Sequence, residues 1–346
     1  MTIEELLRIA SERAASDLHL TVGVPPVLRV NGELISLGTE KLAPADTEAM
    51  ARALLDDRHW EKFVTAGEVD ASYSLPGVSR YRVNAYRQRG CAAIAIRVIP
   101  RRIPGVAELK LPSILTEMLL RTSGLIIING PAGTGKSTSA AALIDYINQR
   151  QKRNIITLED PIEYLHGHQM SLIDQREIGL DTNSFASGLR SALRQDPDIV
   201  FVGELRDLDT MAIAITAAET GHLVLGTLHT TDATQTIDRI IDVFPPAQQQ
   251  QVRIQLAMVL VGVVSQRLLP TADNQGRVAA FEVLVNNPAV ANLIRSDKVH
   301  QIRSVLESSR AMGMQTMESS LMELVRNATV TMEAVKKYAA DFVNGH

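Results

Sequence analysis

The chain has 346 residues, enough for two or three compact units rather than one. Hydrophobic residues make up 45% and charged residues 21%, a balance that buries ordinary cores and excludes a disordered or fibrous chain. A formal net charge of -4 argues against a surface built throughout to grip nucleic acid, and the single cysteine, Cys91, excludes a disulfide framework and a multi-cysteine zinc site, as suits a reducing cytoplasm.

The amino terminus, MTIEELLRIA, carries Glu4 and Glu5 where an export signal is basic, and Ile3, Leu6, Leu7 and Ala10 are spaced as in an amphipathic helix. From Asp17 to about Pro100, short runs (DLHLTV, PVLRV, YSLPGVSRYRVNAY, AAIAIRVI) are broken by Pro and Gly, with one helical stretch around residues 44 to 63. This pattern predicts a small domain of helix and strand over 1–100. Pro100, Pro104 and Pro112 mark a linker over 101–114.

Next, GLIIINGPAGTGKSTSAAALIDYINQR reads as buried strand, Gly-rich turn and helix. NIITLED, PDIVFVGEL and HLVLGTLH are further apolar strands, with SFASGLRSALRQ and LDTMAIAITAAET as helices between them. Such alternation predicts a parallel sheet covered on both faces, a RecA-like α/β core over 115–270. After Pro245 and Pro246 the periodicity of QVRIQLAMVLVGVVSQRLL and MESSLMELVRNATVTMEAVKKYA predicts helix, so residues 271–346 are expected to be mainly helical. No apolar run approaches the roughly 18 to 20 residues that span a bilayer.

The turn holds Gly130, Pro131, Ala132, Gly133, Thr134, Gly135, Lys136, Ser137 and Thr138, and matches the phosphate-binding pattern G-x-x-x-x-G-K-[ST]. Its glycines let backbone N–H groups close round phosphate oxygens, Lys136 reaches the outer phosphates, and Ser137 is placed to coordinate Mg²⁺. The strand PDIVFVGE resembles a Walker B strand whose Asp-Glu ending has become Gly203 and Glu204. A lone acid there can still hold Mg²⁺, directly or through water. Glu159, Asp160 and Glu163 of ITLEDPIEY crowd another strand end, where parallel-sheet sites form, and favour a catalytic role for at least one; the alternative is a solvated acidic loop. His222 and His229 bracket a strand, and two histidines seven apart lie on opposite faces, which argues against a shared metal. The loop alone does not separate ATPases, GTPases and kinases, but the N-K-x-D guanine reader usual in a GTPase is not present.

These four blocks, in this order, resemble the secretion ATPases of the type II and type IV pilus class: Walker A loop, Asp box (ITLEDPIEY), Walker B (DPDIVFVGELRD) and His box (TGHLVLGTLHT). ASDLHL, YRVNAY, TIDRIIDVFP and GMQT match as well, so the resemblance runs nearly end to end, and it is strongest to the pilus retraction ATPases. The resemblance implies that Glu163 activates the attacking water, Glu204 supports Mg²⁺, and His222 and His229 link nucleotide state to domain movement. It also implies that Arg82 and Arg97 stabilise the transferred phosphoryl group. The architecture it implies is a PAS-like N-terminal domain and a RecA-like domain in a homohexamer. That ring would act on an inner-membrane platform protein at the cytoplasmic face, and power pilus retraction and twitching. A related extension or secretion ATPase, or a weakly hydrolysing accessory paralogue, is the alternative. A nucleic-acid motor is disfavoured by the acidic balance and only 4% aromatic residues. Extension and secretion relatives carry extra N-terminal domains, many with a four-cysteine module, whereas this chain starts almost directly at ASDLHL. The retraction branch's AIRNLIRE reads AVANLIRS here, with Ala291 in place of an arginine and Ser296 in place of an acid. That segment is either a packing helix around Leu293 and Ile294 or a coupling element.

Overall fold

The computed structural model describes residues 1–30, 32–100, 102–273 and 275–336. It divides into two compact units, Met1–Arg102 with Glu163–Leu165, and Ile103–Ile162 with His166–His346.

In the first unit, α1 (Ile3–Glu12) starts at a reciprocal cap: Glu5 N–H donates to Thr2 Oγ1 at 3.2 Å and Thr2 N–H to the Glu5 carboxylate at 2.8 Å. Its buried side is Ile3, Leu6, Leu7 and Ala10, the set that the spacing predicts. There follow β1 (Asp17–Leu20), β2 (Val27–Val30), β3 (Glu33–Ser36), α2 (Pro44–Leu54), α3 (Asp57–Ala66), β4 (Glu68–Leu75), β5 (Ser79–Gln88) and β6 (Cys91–Val98). The six strands form one antiparallel sheet in the order β3-β2-β1-β6-β5-β4. The single helix expected around 44 to 63 is two. Leu55 is extended, and Asp56 accepts His59 N–H at 2.8 Å, so a second helix is capped where the first ends.

The second unit is built on β7 (Gly124–Asn129), β8 (Asn154–Glu159), β9 (Leu172–Glu177), β10 (Ile199–Val202), β11 (Leu223–Leu228), β12 (Leu260–Pro270) and β13 (Arg277–Val285). Their order is β13-β12-β7-β11-β10-β8-β9, parallel except for β13, which turns back against β12. The helices are α4 (Ser113–Met118), α5 (Lys136–Asn148), α6 (Phe185–Ala192), α7 (Leu208–Glu219), α8 (Ala233–Asp242), α9 (Pro246–Val259), α10 (Pro288–Arg295), α11 (Ile302–Ser308) and α12 (Met317–Arg326). Strand residues alternate between two cores. Leu125, Ile127, Val200 and Val202 pack with α6 to α9, while Ile126, Ile128, Ile199 and Phe201 pack with α4 and α5. Both faces are thus covered, which is why these strands read as continuous apolar runs.

The structure corrects further expectations. The helix predicted to continue through QVRIQLAMVLVGVVSQRLL stops at Val259, and residues 260–270 form β12 in the main sheet. The β-branched Val261, Val263 and Val264 favour the pleat, and a Cβ on Gly262 would lie 2.6 Å from Leu284 O of the neighbouring strand. The helix expected to run from residue 317 toward 339 is broken: α12 ends at Arg326, helix resumes over 332–336, and residues 337–339 lie outside the described residues. Among the described residues no helix is long and apolar enough to cross a membrane.

Candidate active site

The carboxyl ends of β7, β8, β10 and β11 lie side by side in the sheet, and the Gly130–Gly135 loop joins β7 to α5 there. Gly133 and Gly135 have φ of 76° and 87°, backbone that a side chain rarely adopts. Gly130 is constrained differently: a Cβ would meet Gln266 O at 2.5 Å and Thr134 Oγ1 at 2.8 Å. Thr134 Oγ1–H donates to Pro131 O, and Gln266 Nε2–H donates to Thr134 O at 2.8 Å, so β12 buttresses the loop. The buried Lys136 ammonium donates to Gly130 O at 2.7 Å and Pro131 O at 3.0 Å. Ala132, Ser137 and Thr138 complete the loop, which leads into the start of a 13-residue helix, where free N–H groups can receive an anion.

Glu204 follows β10. Its Oε2 is 2.9 Å from Arg206 Nε and its Oε1 is 3.4 Å from His229 Nε2. His229 Nδ1 is in turn 3.4 Å from Lys136 Nζ. An ammonium only donates, so Nδ1 accepts and the ring proton sits on Nε2, facing the carboxylate. His229 therefore bridges the phosphate-loop lysine and the Walker B acid. The glycine in place of the usual aspartate has a local reason: a Cβ on Gly203 would be 3.0 Å from Leu158 O. Gly203 O also accepts from Thr227 Oγ1.

The Asp box sorts into different settings. Glu159 Oε1 accepts Thr157 Oγ1–H at 2.7 Å and Gln175 Nε2–H at 3.0 Å, bonds that already satisfy part of its charge. Asp160 and Glu163 are exposed, and Glu163 groups with the first unit. Arg82 and Arg97 also belong to the first unit. They stand directly opposite each other on β5 and β6, Arg97 Nε 3.1 Å from Asp17 and Arg82 Nε 3.9 Å from Asp70. His222 is not brought to the phosphate loop. It precedes β11, at the far end of that strand and roughly 20 Å along it from His229 by strand rise. There its Nδ1 is 3.1 Å from Ala217 O, against the last turn of α7. Of the altered AVANLIRS segment, Val290, Ala291 and Ile294 of α10 face the core, while Asn292 and Arg295 are exposed. Ser296 caps the helix, donating to Asn292 O at 2.7 Å. In GMQT, Gly313 packs on Ile114 and Gln315 bonds to Val283.

Several residues at this site carry no local sequence signal. Gln266 and Arg267 lie inside the stretch that reads as helix, and only the strand pairing puts them beside the loop. A cavity of about 420 Å³ opens next to Gly135, Thr138 and Ser139, walled by Gln266, Leu109 and Arg277 among others. Gln266 is buried and its Oε1 has no hydrogen-bond partner among the described residues, so the wall offers an acceptor.

Beneath the Asp box, Gln175 also accepts His166 N–H at 2.8 Å. Burial pushes the His166 imidazole down to about 4, opposed in part by Asp145. A histidine lowered in the folded state stabilises the fold fully above the unfolded value near 6.5, and that contribution is lost as pH falls toward 4. Stability is expected to drop by about 2 kcal/mol between pH 7.5 and pH 5 from this group. Denaturant titrations of wild type and His166→Gln check this, the variant showing the shallower pH slope.

A family model described as type II/IV secretion system protein matches residues 80–339. The chain belongs to that family. It is 45% identical to the twitching motility protein of Neisseria gonorrhoeae, over 98% of this chain and 90% of the relative. It is 42% identical to the type IV pilus ATPase PilU of Pseudomonas aeruginosa, over 98% of this chain and 89% of the relative. Among solved structures, the pilus retraction motor PilT with bound ADP superposes with a TM-score of 0.90 at 47% identity, covering 96% of each chain. A secretion-family member of this architecture thus carries its phosphate loop, Walker B acid and His229 in one cluster.

Proposed function

We propose that this protein is the ATP-hydrolysing motor of type IV pilus retraction, working as a homohexamer to depolymerise pilin and drive twitching motility. The observation that carries the reading is the contact chain Lys136–His229–Glu204, found in a chain that matches a retraction motor over 96% of its length. ATP is the substrate. Its phosphates suit the Gly130–Thr138 cradle, and its nucleoside suits the adjoining cavity. A hydroxyl from Ser137 and one carboxylate from Glu204 suit Mg²⁺, which keeps waters and phosphate oxygens as its other ligands and neutralises charge on the phosphates.

Glu163 is assigned the role of general base toward the attacking water. Arg82 and Arg97 are assigned the charge on the transferred phosphoryl group. His229 is assigned a catalytic role beside the outer phosphate, in which its two partners also let it sense the state of the nucleotide. His222, on the other end of β11, would act on α7 rather than on phosphate. Work on an inner-membrane platform protein at the cytoplasmic face completes the reading.

The match to PilU favours one second reading, an accessory paralogue with weak hydrolysis. Intact Lys136, Glu163 and Glu204 support the motor. Deletion in the native host tests the function: the strain is expected to keep abundant surface pili and lose twitching. A strain without surface pili would make this an extension motor instead.

A further inference from the structure

The loop that carries His229 is held by side chains of three adjacent strands, all outside the motifs. Asn129, the last residue of β7, is fully buried, and its Nδ2 donates to Thr230 O at 3.1 Å and Asp232 O at 3.3 Å. Arg267 of β12, also buried, donates from Nη2 to Thr231 O at 3.0 Å. Glu282 of β13 accepts Ala233 N–H at 3.0 Å, at the first residue of α8. Asn129, Ser265 and Glu282 are register partners across the sheet, and Arg267 is two residues beyond Ser265, so all four project from one face. Every backbone group of the loop that they meet is thus fixed from the sheet, while His229 itself is half exposed and, among the described residues, is held by two long contacts.

The orientation of Asn129 is forced. Flipping the amide would set its oxygen against two carbonyl oxygens, so the donors face the loop. As a result Oδ1 is buried with no partner among the described residues, an arrangement that costs about 1–3 kcal/mol. A side chain selected only for packing at this position would be apolar, like Ile126, Ile127 and Ile128 before it. Asn129 also adjoins Gly130, so one residue ties the start of the phosphate loop to the loop of His229.

We infer that Asn129 is a positioning residue for ATP hydrolysis. Through Thr230 and Asp232, and with Arg267 holding Thr231 and Glu282 holding Ala233, it keeps His229 between Lys136 and Glu204. The inference rests on the catalytic reading of His229, and the test separates the two.

Steady-state ATPase measurements on the full-length protein compare wild type, Asn129→Ala, His229→Ala and the double variant. Asn129→Ala is expected to lower kcat by roughly tenfold or more, because a small misplacement of a catalytic group costs that much. KM for ATP should stay within about twofold, since the phosphate cradle itself is unaltered. The double variant should turn over no more slowly than His229→Ala alone, because Asn129 acts only through the histidine. Losses that multiply, or wild-type turnover in Asn129→Ala, would overturn the inference. Wild-type turnover in His229→Ala would overturn it at its base, by removing the histidine from the reaction. If Asn129→Ala does not fold, Arg267→Gln takes its place in the same cycle, with the same non-additive result expected and multiplied losses again decisive against it.

Discussion

Glu163→Gln is expected to retain ATP binding and to lose hydrolysis by roughly 100- to 10,000-fold. The amide keeps the shape of the side chain but cannot take a proton from the attacking water, and general-base catalysis is worth about that much. Nucleotide affinity should hold because Glu163 is not one of the residues of the Gly130–Thr138 cradle. Turnover measured with a phosphate-release assay, beside affinity measured with a fluorescent ATP analogue, separates the two effects. If turnover is unchanged, the base is another of the strand-end acids. Asp160 would be the first to examine, because it is exposed and Glu159 is already engaged by Thr157 and Gln175.

Gly130→Ala should fail at an earlier step. The added methyl would lie 2.5 Å from a backbone oxygen of β12, which cannot swing aside as a side-chain tip can. The loop must shift, and Lys136, whose ammonium is held by Gly130 O, must shift with it. ATP affinity is expected to fall roughly 10- to 100-fold, as misplaced phosphate contacts do. Overpacking should also lower stability by about 1–3 kcal/mol. Fluorescent-nucleotide titration with a thermal melt checks both. Near-normal affinity would mean that the loop absorbs the methyl, and that the glycine serves only its backbone conformation.

Much of the nucleotide site is legible in the amino-acid sequence, because its parts are local. The phosphate loop is a turn chemistry written in consecutive residues, and the apolar runs around it announce buried strands. The remainder is set by partners far away in the chain. β12 is hidden because a run apolar on both faces looks alike as helix or buried strand, and only its neighbours β7 and β13 settle the matter. β3 escapes notice for the opposite reason: Glu33, Leu34, Ile35 and Ser36 are all exposed, so no alternation marks them. Asn129, Gln266, Arg267 and Glu282 lie in three strands, and no spacing rule connects residues that meet only through sheet register. His222 and His229 look equivalent in sequence, yet a strand has two ends. The six residues of β11 set the two rings apart, one on α7 and one on Lys136.

The bonds from Lys136 to Gly130 O and Pro131 O bear on turnover. An anion arriving in the loop must take the ammonium from two carbonyls that already solvate it, so the gain from the charge contact is reduced by what is given up. The same carbonyls stand ready to recapture the ammonium as product leaves, which lowers the cost of letting go. A loop built this way is expected to hold its anion less tightly than one whose lysine had no such bonds. For a machine that performs work by repeated cycles, the speed of release matters as much as the strength of the grip.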